Sequence, residues 1–201
     1  MEEKKTLLFI DSCIRGKEDS RTHRLCDAYL RALSDASNAP EIQNVSLAEL
    51  QLSPLTTQDI ETRDMFIKAG EFSAPMFGLA RQFAVADHIL IGAPYWDLSF
   101  PAALKTYIEH IMVNGITFKY TDSGRQVGLC RAKSLAYITT AGGSISSRNF
   151  GYEYLRSISQ MLGIESMQFL SAENLDIEDV DEEVILKTKM HEARKLASEV
   201  R

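Results

Sequence analysis

Apolar positions along this chain fall into two patterns. Short continuous runs read as strands covered on both faces, and longer stretches at helical spacing read as amphipathic helices. The first run, within Lys5–Ile10, opens the chain and ends in the polar pair Asp11–Ser12. Residues 11–20 then form a polar loop with one glycine. Leu25, Ala28, Tyr29, Ala32 and Leu33 recur at helical spacing and predict a helix over Arg21–Ser34, with Ser20 as its N-cap. Glu41–Ser46 is a short second strand. Helical stretches follow at Gln58–Lys68 and Pro75–Val85. Ile89, Leu90 and Ile91 make a third strand that stops at Gly92–Pro94, because Pro94 has no N–H for a sheet ladder. A loop carrying Tyr95, Trp96 and Asp97 leads into a helix over Pro101–Val113, and proline suits such a first turn. Residues 114–128 alternate and turn at Asp122–Gly124, as a partial hairpin does. Lys133–Thr139 is a fourth core strand, residues 140–145 a glycine-bearing loop, and Asn149–Leu162 a helix ended by Gly163. Ile164–Leu170 is the fifth strand, and Asp181–Val200 the closing helix.

Strand and helix thus alternate about five times. That order predicts an α/β domain with a doubly wound, mostly parallel sheet and helices on both faces. Five strands favour the flavodoxin-like order 2-1-3-4-5 over the longer dinucleotide-binding order. The chain of 201 residues is expected to be a single domain, 1–201, with residues 47–85 as a lid or substrate wall. In such a sheet the crevice opens between strands 1 and 3. Residues 11–20 and 94–99 stand at its mouth, with 140–145 beside them.

The net charge of −6 argues against a nucleic-acid partner that docks on a basic surface. The three cysteines, Cys13, Cys26 and Cys130, form no CxxC pair, so free thiols and a cytoplasmic location are expected. The apolar run near the N-terminus is too short for a signal-peptide core or a membrane span, so no membrane partner is expected. No histidine stands at a metal-site spacing from a second histidine and a carboxylate, and no metal is expected.

Three loops carry the candidate chemistry. Residues 11–22 place Ser12, Ser20 and Thr22 at a helix N-terminus, where free N–H groups and the helix dipole favour a phosphate. The dinucleotide motif GxGxxG and the P-loop motif are both absent. Arg15 and Lys17 add cations, and Cys13 stands where a helix terminus lowers a thiol pKa, although a small buried filler is the plainer reading. Tyr95 and Trp96 can stack on a flat ring or simply plug the strand end. Thr140, Gly142 and Gly143 allow close backbone approach or make an ordinary turn. A ligand with a phosphate tail and a flat heterocyclic head would meet all three loops. An unrelated hydrolase needs a nucleophile beside a base, and no GxSxG motif or Ser–His arrangement supplies one.

The stretch Gly92–Glu109 (GAPYWDLSFPAALKTYIE) resembles the strand-3 motif of flavodoxin-like NAD(P)H:quinone oxidoreductases and FMN-dependent azoreductases. Gly115–Tyr120, Lys133 and Thr139–Gly143 resemble that family in the same order and spacing. The resemblance implies FMN as cofactor and NADH or NADPH as electron donor. It implies ping-pong two-electron transfer, by hydride, to quinones, azo compounds or similar electrophiles. Ser12, Ser20, Arg21 and Thr22 would hold the phosphate. Pro94, Tyr95, Trp96, Asp97 and Leu98 would line the ring edge, and Thr140, Gly142 and Gly143 its polar end. Tyr120 would lie on the substrate side, and either Tyr120 or Tyr95 could donate a proton to the product. The resemblance also implies a homodimer. A flavodoxin-type electron carrier without its own substrate turnover is the competing reading. One departure concerns Asp97, where the family often has Asn. A carboxylate facing a reduced flavin is unfavourable, so its side chain is expected to point away or to shift the flavin potential down.

Overall fold

The structure is a computed structural model and describes residues 4–16, 19–146 and 148–200. Lys17 therefore lies outside the described residues. Five strands form one parallel sheet: β1 (Thr6–Asp11), β2 (Glu41–Ser46), β3 (His88–Gly92), β6 (Ser134–Thr140) and β7 (Ser166–Ala172). Their order is β2-β1-β3-β6-β7, which is 2-1-3-4-5 among the main strands, as the alternation predicts. The hairpin expected within residues 114–128 is a separate antiparallel pair, β4 (Phe118–Tyr120) and β5 (Gln126–Gly128).

Period-2 side-chain alternation splits each central strand between two cores. Leu8, Ile10, Ile89, Ile91, Leu135 and Tyr137 face one layer. That layer contains α4 (Gly78–Val85), α5 (Ala102–Ile111) and α6 (Phe150–Met161). Leu7, Phe9, Leu90, Ala136 and Ile138 face the other, covered by α1 (Arg21–Ser34) and α7 (Glu182–Ser198). Leu25, Leu90, Leu104 and Leu186 are all fully buried. Burying a side chain of that size contributes about 1.5–3 kcal/mol.

Helix ends follow local chemistry. The Ser20 side chain accepts from the His23 N–H at 3.2 Å and caps α1. Pro101 takes the N-cap of α5, one position before the expected first turn. The fifth main strand starts later than its apolar content suggests, at Ser166 instead of Ile164. Ile164 belongs to the helix end. Its N–H bonds the Ser159 carbonyl at 2.8 Å while the Gly163 N–H bonds Gln160 at 3.1 Å, with Gly163 at φ 84°. This is a Schellman ending, in which a buried apolar residue follows the left-handed glycine.

Residues 47–85 open with the single turn α2 (Leu47–Leu50) and divide in two beyond it. Phe77 in a 3-10 turn (Pro75–Phe77), with Ala80 and Phe83 of α4, is core. By contrast α3 (Thr57–Ala69) buries none of its residues, and its Ile60 and Met65 are exposed. A reciprocal Thr56–Asp59 capping box starts it.

Candidate functional site

The carboxyl ends of β1, β3 and β6 deliver three loops to one edge of the sheet. Ser12 follows β1 and donates its N–H to the Gly92 carbonyl at 2.8 Å. The Tyr95 N–H bonds the Thr140 carbonyl at 2.9 Å. Thr22 and Thr140 share a hydroxyl–hydroxyl bond of 2.6 Å, both side chains being buried. These bonds fasten α1 and the two strand ends around a cleft of about 240 Å3.

The first wall is Cys13–Arg15 with Asp19–Thr22 at the start of α1. No acid occupies the first turn of that helix. The Arg21 and Thr22 N–H groups have no hydrogen-bond partner among the described residues. Free amides at the positive end of a helix make an anion site. Arg15 is exposed on this wall and has no ion pair among the described residues. The Arg21 guanidinium, however, turns to the far rim. It bonds Asp176 at 2.8 Å, Glu182 at 3.0 Å and the Leu175 carbonyl at 3.0 Å. Arg24 makes a two-pronged pair with Glu183 at 2.7 and 2.9 Å. Together they clamp the α1 N-terminus to the segment before and at the start of α7.

The second wall is Pro94, Tyr95 and Trp96. Trp96 and Ser99 exchange backbone bonds of 3.1 and 2.8 Å around a two-residue turn. Both central residues have positive φ, 49° at Asp97 and 68° at Leu98. Asp and Asn tolerate this left-handed geometry better than most residues, which gives position 97 a backbone reason for either. Asp97 is exposed and does not line the cleft. Phe150 at the start of α6 donates its N–H to the Leu98 carbonyl at 3.1 Å and props the turn.

The third wall is Thr140 and Gly142. A Cβ on Gly142 would stand 2.0 Å from Asp176 Oδ2, so the missing side chain is what admits that carboxylate. The Asp176 N–H also bonds the Gly142 carbonyl at 2.9 Å. Glu173 holds the rest of the loop. It accepts from the Ile145 N–H at 2.9 Å, the Ser144 hydroxyl at 3.3 Å and the Ser171 hydroxyl at 2.8 Å.

Of the residues singled out from the sequence, Ser20, Arg21 and Thr22 come together with Pro94, Tyr95 and Trp96, and with Thr140 and Gly142. Ser12 lies beneath the cleft, fully buried, its hydroxyl unpartnered among the described residues. Asp97, Leu98 and Gly143 stand outside the lining. Tyr95 donates its hydroxyl to the Arg148 carbonyl at 2.8 Å. Tyr120 is exposed on the hairpin, edge-on to Phe118, away from the cleft. Asp176 and Glu173 are additions that the sequence alone does not reveal, since both lie in an acidic run that reads as solvated surface.

Beneath the first wall, Asp11 Oδ1 accepts from the Cys13 N–H at 2.9 Å, and Asp11 Oδ2 lies 3.1 Å from His23 Nδ1. Burial pushes the Asp11 carboxyl up, but the His23 ring and the Cys13 N–H outweigh it and hold the acid below its ordinary value. Burial, then the nearby Asp11 charge, pushes the Cys13 thiol well up. Burial thus outweighs any lowering of this thiol by the helix terminus.

A family model described as flavodoxin-like fold matches residues 5–196. The chain belongs to this flavodoxin-like family. Among its relatives is the FMN-dependent NADH:quinone oxidoreductase 2 of Clostridium acetobutylicum, 37% identical over 199 residues, covering 96% of this chain and 98% of the relative. An azoreductase from Bacillus anthracis str. Sterne superposes with a TM-score of 0.86 at 25% identity, covering 97% of this chain and 99% of its own. An FMN-dependent NADH-azoreductase from Bacillus anthracis str. Ames Ancestor, solved in complex with FMN, superposes at 0.83 with 22% identity. It covers 97% of this chain and 98% of its own. Within this flavodoxin-like family the strand-end cleft described above is the feature that the order 2-1-3-4-5 positions.

Proposed function

We propose that this chain is an FMN-dependent NADH:quinone oxidoreductase with azoreductase-type activity on similar electrophiles. The observation that carries the reading is the strand-end cleft, whose three walls suit a phosphate, a flat ring and the polar edge of that ring. The free Arg21 and Thr22 amides, the Ser20 side chain and Arg15 suit the phosphate. Pro94, Tyr95 and Trp96 offer a flat apolar wall to the ring, and Thr140 with Gly142 offers backbone groups to its polar edge. Relatives named FMN-dependent NADH:quinone oxidoreductase and azoreductase support the same assignment.

When bound, FMN takes two electrons from the reduced nicotinamide and passes them to the acceptor. The protein's part is placement. The α1 terminus anchors the tail, and the Tyr95–Thr140 backbone bond sets the spacing between the two ring-facing loops. Tyr95 is a wall residue, since Arg148 already occupies its hydroxyl. Ser12 supports the phosphate loop from below. Asp97, Leu98 and Gly143 shape the loops from outside the lining, and Tyr120 serves the substrate side through a homodimer.

The reading extends to the whole chain as one working domain, in which α3 forms a substrate wall. Exposed Leu50, Ile60 and Met65 give that side an unpartnered apolar surface suited to a second copy. No helix among the described residues is long and apolar enough to cross a membrane. The three free cysteines suit a cytoplasmic site.

The test is an absorbance spectrum of the purified protein, followed by anaerobic titration with NADH and NADPH. Flavin bands bleached by NADH and restored by a quinone are expected. Protein that neither carries nor binds FMN would sink the proposal. Bleaching without quinone turnover would favour the electron carrier. Light scattering on the same sample reads the dimer.

A further inference from the structure

Asp11, Cys13 and His23 meet although they come from a strand end, a loop and the first turn of a helix. Each offers one ligand atom, and these atoms all lie within 4.8 Å of one another. Asp11 and Cys13 are buried, and Cys13 lines the cleft, so the cluster is enclosed below and reached from one side. His23 Nδ1 is buried and lies 3.1 Å from Asp11 Oδ2, so an imidazole nitrogen and a carboxylate oxygen already face each other. The Cys13 N–H holds Asp11 Oδ1 at 2.9 Å and so orients the carboxylate from its outer side. That is the role partners of this kind play around metal ligands. The sequence hides the arrangement because His23 is separated from Asp11 by the whole phosphate loop.

We propose that Asp11, Cys13 and His23 form a binding site for a divalent zinc ion. One carboxylate oxygen, one sulfur and one imidazole nitrogen are the donor types zinc takes, and three protein ligands leave a fourth, open position. Cys13 lines the cleft, which gives an ion access from that side. Binding displaces the thiol proton of Cys13 to solvent, forms the zinc–sulfur bond and leaves the oxidation states unchanged. The site lies below the groups assigned to FMN and does not depend on that assignment. The plainer reading is an Asp11–His23 ion pair beside a small buried thiol, and it predicts no metal at all.

The experiment uses the full-length protein, stripped with a chelator and then titrated with Zn2+ in calorimetry and with Co2+ in the near ultraviolet. One zinc per chain, release of a proton, and a sulfur-to-cobalt charge-transfer band are expected. Cys13→Ser should abolish the band and weaken zinc by more than about a hundredfold, beyond the loss typical of an outer-shell partner. Cys130→Ser, at the half-buried thiol elsewhere, should leave both unchanged. Absence of zinc binding, a band that survives Cys13→Ser, or one lost in Cys130→Ser overturns the site. If near-ultraviolet circular dichroism shows that Cys13→Ser fails to fold, His23→Gln carries the same comparison. Flavin absorbance, recorded separately, reports the FMN reading, so either proposal can fail while the other stands.

Discussion

Leu98 occupies a conformation its side chain opposes. Its φ of 68° is left-handed, it is 42% exposed, and it makes the cleft turn only because Trp96, Ser99 and Phe150 supply backbone bonds around it. A branched residue there costs about 1–2 kcal/mol. Leu98→Gly is therefore expected to raise stability by about 1 kcal/mol, read as a higher urea midpoint with an unchanged slope. An unchanged or lower midpoint would mean that Leu98 gains more from its neighbours than its backbone loses. Asp97 shares this turn, at φ 49°. The residue type follows the turn, and either Asp or Asn satisfies it. From the sequence, the same carboxylate could be read as a charge near the cofactor, because backbone φ is not visible in residue order.

Elements were legible where their own residues decide them. Ala28, Tyr29 and Leu33 carry the α1 spacing, and the Ile89–Ile91 run marks β3, so both elements stand where the pattern places them. Legibility failed where a distant segment decides. Ile164 reads as strand until the Ser159 carbonyl claims its N–H, and Glu173 reads as surface until Ile145 and Ser144 bond it. The β4–β5 hairpin shows the same dependence. A Cβ on Gly128 would stand 2.1 Å from the Gly163 nitrogen and from the Leu162 carbonyl carbon. Neither is a flexible side chain that can swing aside. Gly128→Ala should push the hairpin off the α6 end and cost about 1–3 kcal/mol, the range for overpacking. Thermal unfolding with a midpoint within a degree of the parent would contradict this packing.

At the scale of the molecule, the two ends of the sheet differ in chemistry. The cleft loops crowd the carboxyl end, while His88 sits buried near the amino end, its Nδ1 3.0 Å from the Ser134 hydroxyl. Burial first, then the nearby Lys5 charge, holds its pKa below the ordinary histidine value, with Asp87 opposing. As pH falls through about 6.5, the unfolded chain takes up this proton before the folded one does. Stability tied to His88 is thus present above that pH and is lost below it. His88→Gln should flatten the decline in urea midpoint between pH 7.5 and 5.5, whereas an identical decline in both proteins would remove His88 as its source. The second feature is the pairing of α1 with α7 across one face. Leu25, Tyr29 and Leu33 are covered there together with Leu186, Ala193 and Ala197, and Arg21 and Arg24 are clamped to Asp176, Glu182 and Glu183. During synthesis the first helix emerges long before its cover, because α7 follows it by about 150 residues of chain. A nascent chain therefore carries a greasy face past the ribosome until α7 has been made, which makes it a natural client for chaperones. A chain ended at Val180 should bind the dye ANS strongly and aggregate, while a compact, dye-silent fragment would show that the first helix can wait uncovered.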